Sequence, residues 1–127
     1  GWSVTIQEVV GWLNVPFAWL MSVPPDECVR VGSVLGERVV FNEFVGYLEL
    51  SNMMEGRGAL SPRTSTIATY ALCGFANFAS VAIQIGGIGT LSPGRRADLA
   101  KLGLRAMVGG LLACYLTATM AGLLMAS

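Results

Sequence analysis

The chain has 127 residues, of which 54% are hydrophobic and 13% charged, and its mean hydropathy is +0.62. This balance lies well above that of soluble domains and indicates a membrane protein of one domain. Eight basic and eight acidic residues give no net charge, so the chain lacks the electrostatic footprint of a protein that binds a nucleic acid polymer.

The cysteines and the start of the chain exclude two further classes. Cys28, Cys73 and Cys114 are far apart and odd in number, which argues against a disulfide framework and against a zinc site. We interpret them as packing residues and expect no metal site. No basic segment with a short apolar core precedes a cleavage site, so we predict no signal peptide and expect a C-terminal piece of a longer protein.

The first apolar segment, residues 4–24, predicts a transmembrane helix. Pro16 should kink this helix, because proline removes a backbone hydrogen-bond donor. Trp12 and Trp19 are seven residues apart and therefore share one face. Such rings favour the membrane interface, and the alternative is that they fill a packing gap.

The second segment, residues 26–54, mixes charged and apolar side chains and cannot be a simple lipid-facing span. Its halves, about 26–35 and 42–54, are roughly 15 to 20 Å long as helices, too short to cross a bilayer alone. Two such helices meeting at a turn near Gly36 would form a re-entrant helical hairpin, and transporters build substrate sites from helix ends of this kind. The alternative is an amphipathic interfacial helix or a soluble helix.

The third segment, residues 64–92, has no Asp, Glu, Lys or Arg and is long enough to span, since roughly 20 apolar residues suffice. A helical repeat places a polar stripe along one side, made of Thr69, Cys73, Asn77, Ser80 and Gln84. In lipid this stripe must face other protein or a water-filled cavity. Gly86, Gly87 and Gly89 permit either close helix contact or local unwinding.

The last third of the chain begins with a basic stretch, residues 92–105, which we predict to be a cytoplasmic loop. Residues 106–127 carry no charge and predict a final transmembrane helix that places the C-terminus outside. Every fourth residue along one face of this helix is small, so a helix of this chain or of another subunit should pack closely there. These residues are Ala106, Gly110, Cys114, Ala118 and Gly122.

Glu43 is the side chain most informative about function. It lies in the apolar stretch VVFNEFVGY, and Arg38, five residues back, is off the helical spacing for an ion pair. A carboxylate at membrane depth is costly and indicates a ligand contact or a proton carrier, unless it forms a structural ion pair or reaches to the interface. With Asn77 and Ser80 it forms a donor and acceptor set suited to a neutral polyol such as a ribose. Alternatively, the latter two only join helices.

Nothing in the sequence favours catalysis. The chain has no His, no Gly-x-Ser-x-Gly elbow, no Walker loop and no metal-spaced ligand pair, so we predict no enzyme and no cofactor. Two alternatives stay open. One is a structural or oligomerisation module of the membrane with no ligand site, assembled through the small-residue face. The other is a membrane-embedded enzyme with Glu43 as general base, which lacks a partner acid or metal.

Two segments, VVFNEFVGYLEL at residues 39–50 and ALCGFANFASVAIQIGGIGTLSPGRRADLAKLGLRA at residues 71–106, resemble the C-terminal half of the concentrative nucleoside transporters. The resemblance implies an all-α membrane protein with broken and re-entrant transmembrane helices. It implies a scaffold helix, a re-entrant hairpin, a partly unwound helix and a final helix, in a homotrimer. It also implies that the ribose hydroxyls are bound by Glu43, Asn77 and Ser80, with Phe75 lining the same pocket.

The resemblance further implies a symporter that takes nucleosides into the cell through the cell (inner) membrane, coupled to sodium or protons. The family's first hairpin and the helix after it, which supply the nucleobase contacts and the sodium site, have no counterpart in these 127 residues. We therefore expect this chain to supply the ribose-binding half, and the coupling ion to bind outside it. We also expect that it needs the missing N-terminal half to transport.

Overall fold

The structure, a computed structural model, describes residues 3–125, and this part of the chain is helical without strands. The predicted all-α class is confirmed, although the last two residues of the predicted final helix, 126 and 127, lie outside the described part. The elements in chain order are α1 (Ile6–Leu20), α2 (Pro25–Val40), α3 (Glu43–Met54), α4 (Pro62–Leu72), α5 (Phe78–Leu91), a 3-10 turn (Pro93–Arg95) and α6 (Arg96–Leu124).

Helix α1 is shorter than the predicted segment and presents aromatic rings outward. Thr5 caps its first turn in a reciprocal capping box with Glu8, and Pro16 lies inside it. Trp12 and Trp19 are 61% and 62% exposed, so neither ring fills a packing gap within residues 3–125. Their exposure agrees with the interface interpretation, which stays a prediction.

Helices α1 and α2 cross so closely that their backbones touch. A Cβ placed on Gly36 would lie 2.5 Å from the backbone nitrogen of Gly11, and one on Gly32 would lie 2.9 Å from the Gly11 carbonyl oxygen. The predicted turn near Gly36 is therefore wrong. Gly36 is buried inside α2, where the missing side chain lets α1 approach instead of ending the helix. We call this contact of Gly11, Gly32 and Gly36 the glycine seam.

Helices α2 and α3 form a hairpin whose turn consists of Phe41 and Asn42. The Phe41 N–H donates to the Glu37 carbonyl at 2.8 Å and ends α2, and the Asn42 side chain accepts from the Val45 N–H at 3.0 Å and begins α3. With 16 and 12 residues, these helices are each shorter than the roughly 30 Å hydrocarbon core. A re-entrant position in the bilayer stays a prediction.

The third segment is two helices, α4 and α5, separated by non-helical residues 73–77. The polar stripe predicted along one helix face is therefore wrong, because the break divides Thr69 on α4 from Gln84 on α5, and both are exposed. Gly86 and Gly87 lie inside α5, with nothing beyond their own helix within 4 Å of an added Cβ. The unwinding thus occurs ahead of these glycines rather than at them.

The basic stretch predicted as a loop is mostly helical, since α6 begins at Arg96 and runs through residues 96–105 without interruption. Its alanines, leucines, arginines and lysine are all good helix formers, and they continue directly into the apolar part. Together with the 3-10 turn, Pro93–Leu124 is the one helix in the described residues that is long and apolar enough to cross a membrane. Only 22% of its most apolar stretch is buried, unlike the core helix of a soluble protein.

The core lies where α2 and α4 meet α6. Val34, Ile67 and Ala118 are all 0% exposed. A Cβ on Gly122 would lie 2.9 Å from the Ile67 Cδ1 atom, so the small-residue face of α6 packs on α4 of the same chain. Ala106, at the other end of that face, is exposed.

Two polar contacts hold the ends of this core together. Near the loop that precedes α4, the Glu27 carboxylate accepts from the Ser61 N–H at 2.7 Å, from the Ser61 hydroxyl at 3.0 Å and from the Thr64 hydroxyl. Elsewhere, the Tyr115 hydroxyl donates to the Asn14 amide oxygen and joins α6 to α1. The first contact joins the start of α2 to the start of α4. The hairpin and the broken helix are therefore held together at the ends where they begin.

Candidate functional site

The predicted site residues gather where the first turns of α3 and α5 meet. Asn42 begins α3 as described above, and Asn77 begins α5 in the same way, because its amide oxygen accepts from the Ser80 N–H at 2.8 Å. Glu43 is the first residue of α3. The partial positive charge of a helix N-terminus favours an anion there, so the fold itself stabilises a carboxylate at this position.

Glu43 and Asn77, 34 positions apart in sequence, are joined directly. The Asn77 Nδ2 atom donates to the Glu43 Oε2 atom at 3.0 Å. This bond links the hairpin to the broken helix, because it joins the N-terminus of α3 to the N-terminus of α5. The predicted association of Glu43 with Asn77 and Ser80 is therefore present in the geometry, although Ser80 takes part through its backbone N–H in these contacts.

The four predicted residues differ in how accessible they are. Asn77 is 0% exposed, whereas Phe75 is 75% exposed, and Glu43 and Ser80 are half-buried. Phe75 borders a mainly apolar groove of about 400 Å³ between α5 and α6. The lining of this groove includes none of Glu43, Asn77 and Ser80, so the structure brings these three residues together but does not place Phe75 in one pocket with them.

Among the residues that the structure describes, no cation forms an ion pair with the Glu43 carboxylate. Within residues 3–125 the one ion pair joins Arg95 and Asp98, at 2.7 Å and on the exposed start of α6. An unpaired carboxylate at a helix N-terminus keeps acceptor capacity for hydroxyl or amine donors. The described residues hold no group of three or more side chains suited to a metal ion.

Arg38 is a residue of this region to which the sequence analysis gave no role. It was considered there only as an ion-pair partner for Glu43, and its spacing excluded that. Its guanidinium is 0% exposed and donates to the carbonyl oxygens of Ala71 and Gly74, both at 3.0 Å, and to the Cys114 sulfur at 3.4 Å. Cys114 is thus a polar contact as well as a packing residue, and Cys73 is exposed. A charged side chain directly before the apolar stretch VVF at residues 39–41 was the available signal, since ionisable residues at membrane depth are rarely incidental.

Comparison with known proteins places these residues in a family. The family model described as "Na+ dependent nucleoside transporter C-terminus" matches residues 1–122. The chain is 46% identical over 121 residues to "Uncharacterized transporter YutK" of Bacillus subtilis, covering 95% of this chain and 29% of that protein. It is 41% identical to "Solute carrier family 28 member 3" of Eptatretus stoutii, covering 94% of this chain and 19% of that protein.

Solved structures agree with the sequence comparison. The structure of CNTnw in an inward-facing substrate-bound state is similar with a TM-score of 0.84 and 43% identity, over 94% of this chain and 29% of that one. A variant of CNTnw in the intermediate 3 state has a TM-score of 0.90 and 40% identity, over 98% and 31% of the two chains. The chain therefore has an all-α membrane transporter fold, and it spans less than a third of each of these relatives.

Proposed function

Because this chain belongs to the family of Na⁺-dependent nucleoside transporter C-termini, we propose that it forms part of a nucleoside symporter driven by a sodium or proton gradient. In this proposal the chain supplies the ribose-binding half of the substrate site. The observation that carries it is the hydrogen bond between Asn77 and Glu43, which places a carboxylate and an amide at two adjoining helix N-termini.

The chemistry of these groups suits the hydroxyls of a sugar. A carboxylate accepts from two hydroxyls at once, and one oxygen of Glu43 is not engaged by Asn77 in the 3.0 Å bond. The Ser80 side chain adds a hydroxyl that can both donate and accept, and Phe75 offers an aromatic surface to the rest of the ligand. Since hydrogen bonds to charged groups contribute about 1.5–3 kcal/mol, Glu43 should dominate the affinity.

The burial of Asn77 leaves two ways in which its amide can support binding. Because 0% of its surface is exposed, the amide contacts a ligand only if the residues around it move. Otherwise it acts by orienting the Glu43 carboxylate. Both roles use the Asn77 amide, either directly or through its 3.0 Å bond to Glu43. Loss of the Asn77 amide should therefore impair nucleoside binding in either case.

The rest of the proposal concerns the environment of the chain. We propose that it lies in the cell (inner) membrane, that the basic segment 92–105 faces the cytoplasm and that the C-terminus lies outside. The N-terminal half of the transporter would supply the nucleobase contacts and the coupling-ion site, and the assembly would be a homotrimer. We expect no enzymatic activity.

The test uses the full-length transporter that contains this chain, reconstituted in proteoliposomes with an imposed ion gradient. Glu43→Gln and Asn77→Ala should each lower uridine uptake at least about tenfold, because about 1.4 kcal/mol corresponds to a factor of ten. Glu49→Gln is the matched control, since Glu49 is also half-buried on α3 but hydrogen bonds to Asn52 instead. Unchanged uptake in both Glu43→Gln and Asn77→Ala would overturn the ribose-site assignment.

A second arm of the experiment separates ribose recognition from general damage. In the unmodified transporter, removing the ribose 2′ and 3′ hydroxyls of the nucleoside should weaken competition with uridine. In Glu43→Ala the nucleosides with and without these hydroxyls should compete almost equally, because alanine offers no acceptor to the hydroxyls. A constant ratio between the competitors would mean that Glu43 does not contact those hydroxyls.

The structural alternative makes the opposite prediction. If the chain only assembles helices, Glu43→Ala should be tolerated, while bulky substitutions on the small-residue face at Gly110 or Ala118 should abolish function. The 0% exposure of Ala118 means that Ala118→Leu destabilises the chain under both hypotheses. The response of Glu43 therefore decides between them.

A further inference from the structure

Arg38 is a fully buried cation at the point where the third segment breaks, and the proposed ligand chemistry does not use it. We propose that Arg38 is a positioning residue for the substrate site, holding the break between α4 and α5 in the register that presents Asn77 to Glu43. This inference rests on the proposed function of Glu43 and Asn77.

The contacts of Arg38 fall on the backbone of the break rather than on the ligand groups. One terminal nitrogen donates to the Ala71 carbonyl in the last turn of α4, and the other donates to the Gly74 carbonyl inside the break, each at 3.0 Å. The last carbonyls of a helix have no partner within the helix. The guanidinium therefore satisfies groups that the interruption leaves open, three residues before the Asn77 cap.

Gly74 makes this contact possible. A Cβ on Gly74 would lie 2.7 Å from the Cys114 sulfur and 3.4 Å from the Arg38 terminal nitrogen. The Cys114 thiol in turn donates to the Cys73 carbonyl at 3.2 Å and accepts from Arg38 at 3.4 Å. Helix α2, helix α6 and the break thus meet around the Arg38 guanidinium. The Gly74 backbone, three residues before Asn77, is held in place by these contacts.

Burial of the Arg38 charge has an unfavourable free energy, which indicates that this residue does more than stabilise the fold. Burying a charge without a carboxylate is unfavourable even when it is hydrogen-bonded. Arg38 has no ion pair within the described residues, and its Nε atom is buried without a hydrogen-bond partner. A glycine cap would end α4 without a buried charge. A rigid fork that fixes two carbonyls at once is what arginine provides and lysine does not.

The experiment measures uridine uptake kinetics in the full-length transporter with Arg38→Lys. Lysine keeps the charge, but its compact ammonium replaces a planar fork that spans two carbonyls, so we expect KM to rise about tenfold, equivalent to loss of a single strong contact. The matched control is Arg63→Lys. Arg63 also donates to two backbone carbonyls, those of Ser22 at 2.6 Å and Gly122 at 3.1 Å, but away from the site, so its KM should not change.

A double-mutant cycle distinguishes a positioning role from a merely structural one. It compares the effect of Arg38→Lys on KM with and without Asn77→Ala. If Arg38 acts through Asn77, adding Arg38→Lys to Asn77→Ala should raise KM little further. A full second tenfold rise in that background, or an unchanged KM for Arg38→Lys alone, overturns the inference. Impairment by Asn77→Ala with no effect of Arg38→Lys leaves the proposed function intact, whereas unchanged uptake in both Asn77→Ala and Glu43→Gln overturns the proposed function itself.

A second variant covers the case in which Arg38→Lys does not accumulate in the membrane. Gly74→Ala keeps the arginine but places a methyl group 2.7 Å from the Cys114 sulfur and 3.4 Å from the guanidinium, so the packing of these side chains against the break must change. We expect the same rise in KM and the same dependence on Asn77. A normal KM in Gly74→Ala would show that this packing does not govern the site.

Discussion

The glycine seam between α1 and α2 supports a quantitative prediction. Gly36→Ala would place a methyl carbon 2.5 Å from the Gly11 nitrogen, 2.7 Å from the Gly11 Cα and 2.8 Å from the Gln7 carbonyl oxygen. All three atoms belong to the α1 backbone and cannot rotate away. Since 2.5 Å is about 0.9 Å short of the 3.4 Å at which ordinary contact begins, α1 must move away from α2.

The expected magnitude follows from two opposing effects. Overpacking of this kind costs about 1–3 kcal/mol, whereas alanine is about 0.8–1.0 kcal/mol better than glycine inside a helix. Gly109→Ala is the matched control, because a Cβ on Gly109 in α6 would meet nothing within 4 Å and gains only the second effect. The two variants should therefore differ in stability by about 1–3 kcal/mol, with Gly36→Ala the less stable.

The assay is thermal unfolding of the purified full-length transporter in detergent, followed by size-exclusion chromatography. A difference of this size should appear as a melting temperature at least about 1 °C lower for Gly36→Ala than for Gly109→Ala. Equal melting temperatures for the two variants would refute the reasoning. Such a result would mean that the backbones of α1 and α2 do not approach as closely as the structure has them.

Two further predictions concern the polar contacts that tie the core together. Glu27→Ala removes the shared acceptor of Ser61 and Thr64 and should destabilise the protein by about 1–3 kcal/mol, measured as a shift in the thermal unfolding midpoint. Glu55→Ala, in the exposed loop, is the control. An equal effect of the two variants would contradict the prediction. Tyr115→Phe leaves the buried Asn14 amide oxygen without its donor and should cost about 1–2 kcal/mol in the same assay; a variant as stable as the unmodified protein would contradict it.

Much of the architecture was predictable because it follows from local chemistry. The second segment forms two short helices joined by a turn, as its mixture of charged and apolar residues predicted, although the turn lies at Phe41 and Asn42. The grouping of Glu43 with Asn77 was also predictable, because an amide and a carboxylate in apolar sequence need partners, and each turns out to partner the other.

The positions of the interruptions were not predictable, because glycine has two opposite uses. Gly36 permits a close helix crossing, whereas Gly74 permits a break to approach Arg38 and Cys114. The sequence around a glycine does not say which use applies, since the deciding atoms belong to other elements. For the same reason the role of Arg38 was missed: its partners are backbone carbonyls, 33 and 36 positions away.

The use of arginine at the break has a consequence for the coupling ion. Arginine keeps its charge at every pH at which transport is measured, and the chain contains no His. The scaffold that holds Gly74 and Asn77 in place should therefore be the same in acid and at neutral pH. A change of nucleoside uptake with pH should therefore arise in groups of the transporter other than this buried arginine and the carbonyl oxygens that it holds.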